Sequence, residues 1–296
     1  MPAFFCLMAY RGRFAPSPSG PLHAGSLVAA VASYADALAH RGQWLVRMED
    51  VDEGRSIPGA ADAILKTLEC HGFQWHGDVL FQSTRKDRYR EVINTLINDD
   101  QAYRCACTRK QIQAAGHEGI EGIIYPGTCR QGLPSGQSGK AVRLRTDDRK
   151  ICFQDRICGT HCQVLSKDIG DFIIQRADGY TAYQLAVVID DADQGINQVV
   201  RGKDLLLSTP RQIRLQEHLG FPRPEYAHVP LLLDEQGRKL SKQDKARPLL
   251  DRNPLPALLS AWQYLGQVPP PEAPANQAAF WNWAKTHWDI ARVPME

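Results

Sequence analysis

The stretch Arg13-Phe-Ala-Pro-Ser-Pro-Ser-Gly-Pro-Leu-His-Ala-Gly-Ser26 decides how this chain is read. Arg11 to Ala15 reads as a short strand running into a turn. Pro16, Pro18 and Pro21 hold φ near one value and remove backbone donors, which stiffens that turn. Gly20 and Gly25 let backbone approach another group closely. The small and apolar residues from Gly25 to Leu38 predict a helix of about four turns. The start of that helix offers N–H groups and a positive dipole end to an anion, and His23 stands where it can donate to a phosphate. Trp44-Leu-Val-Arg-Met48 then reads as an apolar strand ending at Glu49 and Asp50. Strand, turn, helix, strand is the opening of a parallel α/β sheet. Taken alone, a proline- and glycine-rich loop before a helix is also compatible with a plain surface turn.

Working outward, Pro58–His71 and Lys86–Asn98 carry helical apolar stripes: Ala61, Ile64, Leu65 and Leu68 in the first, Tyr89, Val92, Ile93 and Leu96 in the second. The texture changes at Cys105. From there to about Asp178 the chain is glycine-rich, short-period and holds most of the cysteines, which reads as an inserted small subdomain. Leu185-Ala-Val-Val-Ile189 is expected to be a buried parallel strand. Pro210–Leu219 reads as a helix with Ser208 and Thr209 as capping candidates, and Val229–Leu233 as a strand. Pro256–Leu265 and Ala278–Ile290 read as helical, with Trp281, Trp283 and Trp288 serving mainly as packing.

The totals bound these readings. A chain of 296 residues, 43% hydrophobic, suits one large domain or two modest ones. A net charge of +2 argues against a wholesale polyanion wrapper, so any nucleic-acid contact must come from local patches. No run approaches the ~18–20 apolar residues that span a bilayer. Met1–Tyr10 lacks the basic n-region and cleavage site of a signal peptide, so a cytoplasmic location and no membrane contact are expected. Eight cysteines in a chain this long point to metal rather than to a disulfide scaffold.

A second chemical element is Arg238-Lys-Leu-Ser-Lys-Gln243, following the turn Asp234–Gly237. Its two lysines flank a hydroxyl and suit a triphosphate, whose leaving pyrophosphate they can neutralise. By itself such a loop is more often a solvated basic turn. Together, His23-Ala-Gly-Ser26 and Lys239-Leu-Ser-Lys242 resemble the paired signatures of the class I aminoacyl-tRNA synthetases. Ser26 stands where that family usually has histidine or glycine, and Gln243 occupies the final loop position. The fuller string from Arg13 to His23 is similar to the glutamyl and glutaminyl subgroup, and the likeness runs from about Arg11 to Gln243.

The resemblance implies an α/β fold with a Rossmann-like, doubly wound parallel sheet, an ATP–Mg²⁺ substrate complex and L-glutamate. It implies ATP binding by Pro16, Ser17, Gly20, His23, Gly25, Ser26, Lys239, Ser241 and Lys242, with His23 and Lys242 as the catalytic pair. Arg47-Met-Glu-Asp50, Tyr183 to Asp191 and Val200-Arg-Gly202 resemble three amino-acid-binding segments of the family. A dicarboxylate with one ammonium needs two cationic centres and one anionic centre, and Arg13, Arg201 and Glu49 supply them. Tyr183 and Ser17 add hydroxyls, and Phe14, Ala15 and Pro16 complete the implied glutamate set.

Cys105-Ala-Cys107 and Tyr125-Pro-Gly-Thr-Cys129 supply three soft ligands for one structural Zn²⁺. The fourth is open between His117, the chemically ordinary choice, and Tyr125, whose spacing matches one glutamyl-synthetase-like group. A rival cluster is Cys152, Cys158, His161 and Cys162, for which buried or surface thiols are the simpler reading.

Only residues 243–296 follow the lysine loop, too little for the helical anticodon-binding domains of the ordinary family members. This plan resembles a branch that joins glutamate to the queuosine base of tRNA(Asp) instead of to a 3′ end. The expected partners are therefore queuosine-bearing tRNA(Asp), ATP and L-glutamate, with no obligatory protein partner. The expected domains are residues 9–87 and 181–240 as two catalytic halves, 88–180 as the zinc-bearing insertion, and 241–296 as the lysine loop and a short helical region. Three alternatives stay open: charging of a tRNA 3′ end, an adenylate-forming ligase without RNA, and a non-catalytic zinc-bearing RNA-binding module.

Overall fold

The computed structural model describes residues 9–232, 249 and 253–296. The first half builds as read. Strand β1 (Arg11–Phe14) leads to helix α1 (Ala24–Ala39) and strand β2 (Gln43–Met48). Helix α2 (Ala60–Cys70), strand β3 (Leu80–Phe81) and helix α3 (Lys86–Asn98) follow. β1, β2 and β3 lie side by side and parallel.

The segment after α3 contains β4 (Ala102–Cys105), α4 (Arg109–Ala115), the two-residue strands β5 (Glu118–Gly119) and β6 (Gly122–Ile123), and β7 (Ala141–Leu144). It continues through β8 (Lys150–Asp155), β9 (Gly159–Val164), α5 (Leu165–Asp168) and β10 (Ile173–Gln175). β4, β7 and β10 form an antiparallel sheet of their own. The β8–β9 hairpin does not join that sheet. β8 pairs in parallel with a later strand at Asp155 and Tyr226, so residues 150–164 extend the edge of the parallel sheet instead.

Helix α6 (Tyr183–Asp193), strand β11 (Gln198–Gly202), helix α7 (Thr209–Leu219) and strand β12 (Glu225–Val229) follow. β11 and β12 are parallel. The two parallel sheets meet at β1 and β11, where the Asn197 N–H donates to the Arg11 carbonyl at 3.1 Å and the Arg11 N–H donates to Asn197 Oδ1 at 2.8 Å.

One expected strand is a helix. Leu185–Ile189 sits inside α6 and all five residues are buried. A five-residue apolar run looks alike in a central strand and in a helix enclosed on every side. The expected strand at Val229–Leu233 is displaced: β12 runs from Glu225 to Val229, residues 230–232 lie beyond its end, and Leu233 is outside the described residues.

α1 is buried along most of its length because it lies between the sheet and the C-terminal helices α8 (Leu255–Tyr264) and α9 (Gln277–His287). Its one buried acid, Asp36, takes hydrogen bonds from Tyr10 Oη (2.7 Å), Arg156 Nη1 (2.6 Å) and Trp288 Nε1 (2.9 Å). A charge in that position is tolerable only because it is paired and bonded. Trp281 packs against Tyr34 and Phe73 at 4.7 and 4.9 Å between ring centres, and Trp262 is fully buried. Burying an aromatic of this size contributes about 1.5–3 kcal/mol, so the C-terminal helices act as a wall of the main core.

Candidate active site

The parallel strands β1, β11 and β12 end around one cavity of about 420 Å³, the place where open α/β sheets bind ligands. It is lined by Arg13, Phe14, Ala15, Pro16, Ser17, His23, Gly25, Ser26, Glu49, Tyr183 and Arg201, all anticipated from sequence. Gly20 is not among the lining residues. Its φ of 142° lies where L side chains rarely go, so it shapes the turn behind the cavity. Lys239, Ser241, Lys242 and the following Gln243 lie outside the described residues. Leu231 and Leu232, which precede them in sequence, line the cavity.

On one side of the cavity, His23 is the N-cap of α1 and adopts extended backbone. Its Nδ1 accepts from the Ser26 N–H at 3.4 Å, and its Nε2 lies 3.1 Å from Ser26 Oγ. The first turn of α1 holds no acidic side chain of its own to offset the positive end of the helix. The turn is tied to the end of β2 by the Glu49 N–H donating to the Pro16 carbonyl at 3.0 Å.

On the opposite side stands a buried charge network. Asp191 Oδ1 accepts from Arg13 Nε at 3.0 Å and from Arg47 Nη2 at 2.6 Å, and its Oδ2 accepts from Arg13 Nη2 at 3.3 Å. Burial alone would push the Asp191 carboxyl up, but the two guanidinium groups outweigh it and hold it below the usual carboxylate range. Among the described residues Glu49 Oε1 has no partner at bonding distance, and it lies 3.8 Å from Arg47 Nη2. Burial pushes the Glu49 carboxyl up to about 7 despite Arg47 and Arg13. Arg201 donates from Nη2 to Thr209 Oγ1 at 2.9 Å and places Nη1 3.5 Å from Tyr183 Oη. The cavity thus presents two cations, a poised acid and a half-buried phenol. That is a complement for a zwitterion with an extra carboxylate.

Sequence reading missed Arg47 and Asp191 as partners, although both stand in segments it had singled out. It also missed Ser19, Ala29, Asp204 and Leu205 on the cavity wall. Arg47 is fully buried, a state that local sequence around an arginine does not announce.

A second cluster lies in the antiparallel part. The Sγ atoms of Cys105, Cys107 and Cys129 all lie within 4.8 Å of one another. Zn–S bonds of about 2.3 Å in a tetrahedron separate sulfurs by roughly 3.8 Å, so the triad fits such an ion. Tyr125 Oη is 3.4 Å from Cys105 Sγ and 3.5 Å from Cys107 Sγ, and it accepts from the Cys129 N–H at 2.8 Å. His117 is exposed and stands outside the thiol group. Arg143 donates to Cys105 Sγ at 3.3 Å and stacks over the Tyr125 ring at 3.8 Å, positive charge that suits thiolates. Among the described residues the rival cluster does not form a group of ligand atoms close enough to hold a metal ion. Cys152 and Cys162, facing each other across β8 and β9, are joined in a disulfide, and Cys158 Sγ donates to the His228 carbonyl.

Among the described residues no helix is long and apolar enough to cross a membrane. The family model for tRNA synthetases class I (E and Q), catalytic domain, matches residues 9–251. The chain is 50% identical to the glutamyl-Q tRNA(Asp) synthetase of Chromobacterium violaceum over 285 residues, covering 96% of this chain and 95% of that one. It is 54% identical to the protein of that name from Thiobacillus denitrificans over 284 residues, covering 96% and 94%. A glutamate-tRNA synthetase structure from Elizabethkingia anophelis superposes with a TM-score of 0.80 at 24% identity, covering 97% of this chain and 67% of that one, a likeness of fold. With the matched catalytic domain and this degree of identity along its length, the chain belongs to the class I glutamyl and glutaminyl tRNA synthetase family and, within it, to the glutamyl-Q tRNA(Asp) synthetases.

Proposed function

We propose that this ligase activates L-glutamate with ATP and transfers the glutamyl group to the queuosine base of tRNA(Asp). The carrying observation is the grouping of Arg13, Arg201 and Glu49 around the cavity that also holds His23 at the N-terminus of α1. Arg13 and Arg201 take the two carboxylates of glutamate, Glu49 takes its ammonium, and Tyr183 and Ser17 add hydrogen bonds. Phe14, Ala15 and Pro16 form the adjoining wall.

In the first step a glutamate carboxylate oxygen attacks the α-phosphorus of ATP and pyrophosphate leaves with its electron pair. The residues act by positioning and by stabilising charge. His23, Gly25 and Ser26 at the start of α1 hold phosphate oxygens, with Pro16, Ser17 and Gly20 shaping the loop. Lys239 and Lys242 neutralise the leaving pyrophosphate, and Ser241 adds a hydroxyl hydrogen bond to ATP. Mg²⁺ arrives with ATP. In the second step a hydroxyl of the queuosine cyclopentene ring attacks the activated carbonyl. An ester forms, AMP leaves and the hydroxyl proton is lost.

Cys105, Cys107 and Cys129, with Tyr125 Oη as fourth donor, are proposed to hold one structural Zn²⁺, which would brace the turn between β4 and β7. The division into catalytic halves 9–87 and 181–240, insertion 88–180 and C-terminal region 241–296 belongs to the same reading. So does the cytoplasm as its compartment.

The test has two parts. Glutamate-dependent ATP–pyrophosphate exchange is expected without any tRNA. Labelled glutamate is then expected on queuosine-bearing tRNA(Asp) trimmed of its 3′-terminal adenosine. Labelling that needs an intact 3′ end would overturn the acceptor, and exchange driven by another amino acid would overturn the substrate.

A further inference from the structure

Arg201 is held from behind by a residue the proposed mechanism has not used. Its Nε donates to His228 Nε2 at 3.0 Å. His228 Nδ1 lies 2.6 Å from Asp155 Oδ2. His228 and Asp155 side chains are both fully buried. An arginine Nε always carries its hydrogen, so His228 Nε2 must accept, and the ring proton sits on Nδ1 and is donated to Asp155. Burial pushes His228 down to about 4 and Arg201 adds to that effect against the pull of Asp155, so the ring stays neutral.

Asp155 comes from the end of β8, in the hairpin that leaves the inserted region to join β12. Its Oδ1 accepts from the N–H groups of Ile157 (3.0 Å), Cys158 (2.8 Å) and His228 (3.2 Å). One carboxylate oxygen therefore ties down the hairpin turn and the other sets the imidazole tautomer. With Nε bound to His228 and Nη2 bound to Thr209, Arg201 keeps its Nη1 beside Tyr183, which lines the cavity.

We propose that Asp155, acting through His228, is a positioning residue for amino-acid recognition: it fixes the tautomer of His228, which aims the guanidinium of Arg201 at a substrate carboxylate. This rests on Arg201 being a glutamate-binding residue. The hairpin thus contributes a buried brace to a site whose other groups come from β1, β2, α1, α6 and β11.

Asp155→Asn is the informative change. Three backbone N–H groups require an oxygen in place of Oδ1, so the amide nitrogen must face His228 Nδ1. That drives the ring proton to Nε2, where it points at the Arg201 Nε–H. In glutamate-dependent ATP–pyrophosphate exchange, D155N is expected to raise the glutamate KM about tenfold or more. The KM for ATP and kcat should stay within about threefold, a split that partial unfolding does not produce. H228Q, which keeps an acceptor for Arg201, should lie nearer the parent in glutamate KM than H228L, which does not. Nitrogen-15 NMR of histidine-labelled parent enzyme should show His228 neutral and protonated on Nδ1.

A parent enzyme with His228 protonated on Nε2 or doubly protonated at neutral pH overturns the proposal without any variant. A folded D155N with unchanged glutamate KM overturns it too. R201A tells the two failures apart. If R201A raises the glutamate KM while D155N does not, the brace is wrong and Arg201 stands. If neither does, the Arg201 reading is wrong and the brace falls with it.

Discussion

Glu49 Oε1 stands 3.8 Å from Arg47 Nη2, beyond hydrogen-bond reach, although Arg47 is fully buried and Glu49 nearly so. Arg47 spends its short contacts on Asp191 and Gln194. Glu49 is left with charge nearby but no bond on Oε1 among the described residues, and burial carries its carboxyl up to about 7. An anion in this state gains much from an incoming ammonium.

The first prediction is a pH dependence. Only the ionised Glu49 pairs with an ammonium, and it protonates as pH falls through about 7. The glutamate KM in the exchange reaction should rise roughly tenfold from pH 8 to pH 6. The Glu49→Gln variant should bind glutamate weakly with a flat profile over that range. A parent profile as flat as the variant's would show that Glu49 does not meet the substrate.

The same residue predicts an opposite effect on stability. A carboxyl whose folded value lies above its unfolded one costs stability once the pH is high enough to ionise it. A rise from 4.5 to about 7 corresponds to about 3 kcal/mol above neutral pH and far less near pH 5. Without glutamate, Glu49→Gln should therefore melt higher than the parent at pH 8, and the gain should shrink toward pH 5. Calorimetry at the two pH values measures it, and a lower midpoint at pH 8 would contradict it.

Asp191 holds two arginines at once, so its loss should be severe. Asp191→Ala leaves Arg13 and Arg47 buried without their common counter-ion, which costs about 3–5 kcal/mol. Arg47 would be stranded in the core, while Arg13 would swing from the cavity. Chemical denaturation should show the stability loss. Addition of glutamate should restore little of it, because the binding geometry goes with the clamp.

The cysteine triad predicts metal. The purified parent should carry close to one equivalent of zinc, and Cys129→Ser less than half. The variant should also melt lower, since structural zinc sites contribute folding energy directly. Tyr125→Phe, which keeps the ring under Arg143 but removes Oη, should weaken zinc retention, whereas His117→Ala should not. Elemental analysis after a chelator challenge reads both.

Lys242→Ala should lower exchange activity by roughly 10²–10³-fold, as loss of a charge-stabilising group in a phosphoryl site does. Retained activity would detach the lysine loop from the chemistry.

Much of the site could be read in the sequence because its chemistry is carried by contiguous pieces. Arg13 to Ser26 holds a strand end, a rigid turn and a helix start, each dictated by local backbone preferences. Local chemistry also announces Cys105, Cys107 and Cys129, since paired thiols a few residues apart are a pattern in themselves. The helix α6 was not legible, because enclosure on all sides erases the polar face that reveals a helix. Nor was the Cys152–Cys162 bridge, which follows from the register of β8 against β9.

The sequence by itself singled out side chains that line the cavity: Arg13, His23, Glu49, Tyr183 and Arg201. Only the tertiary structure decided who holds them. Asp191 bonds to Arg13 across 178 positions of the chain, and Asp155 bonds to His228 across 73. Such pairings arise because a buried charge must find a counter-charge wherever packing brings one within reach. That requirement acts through space, so the order of residues along the chain carries little trace of it.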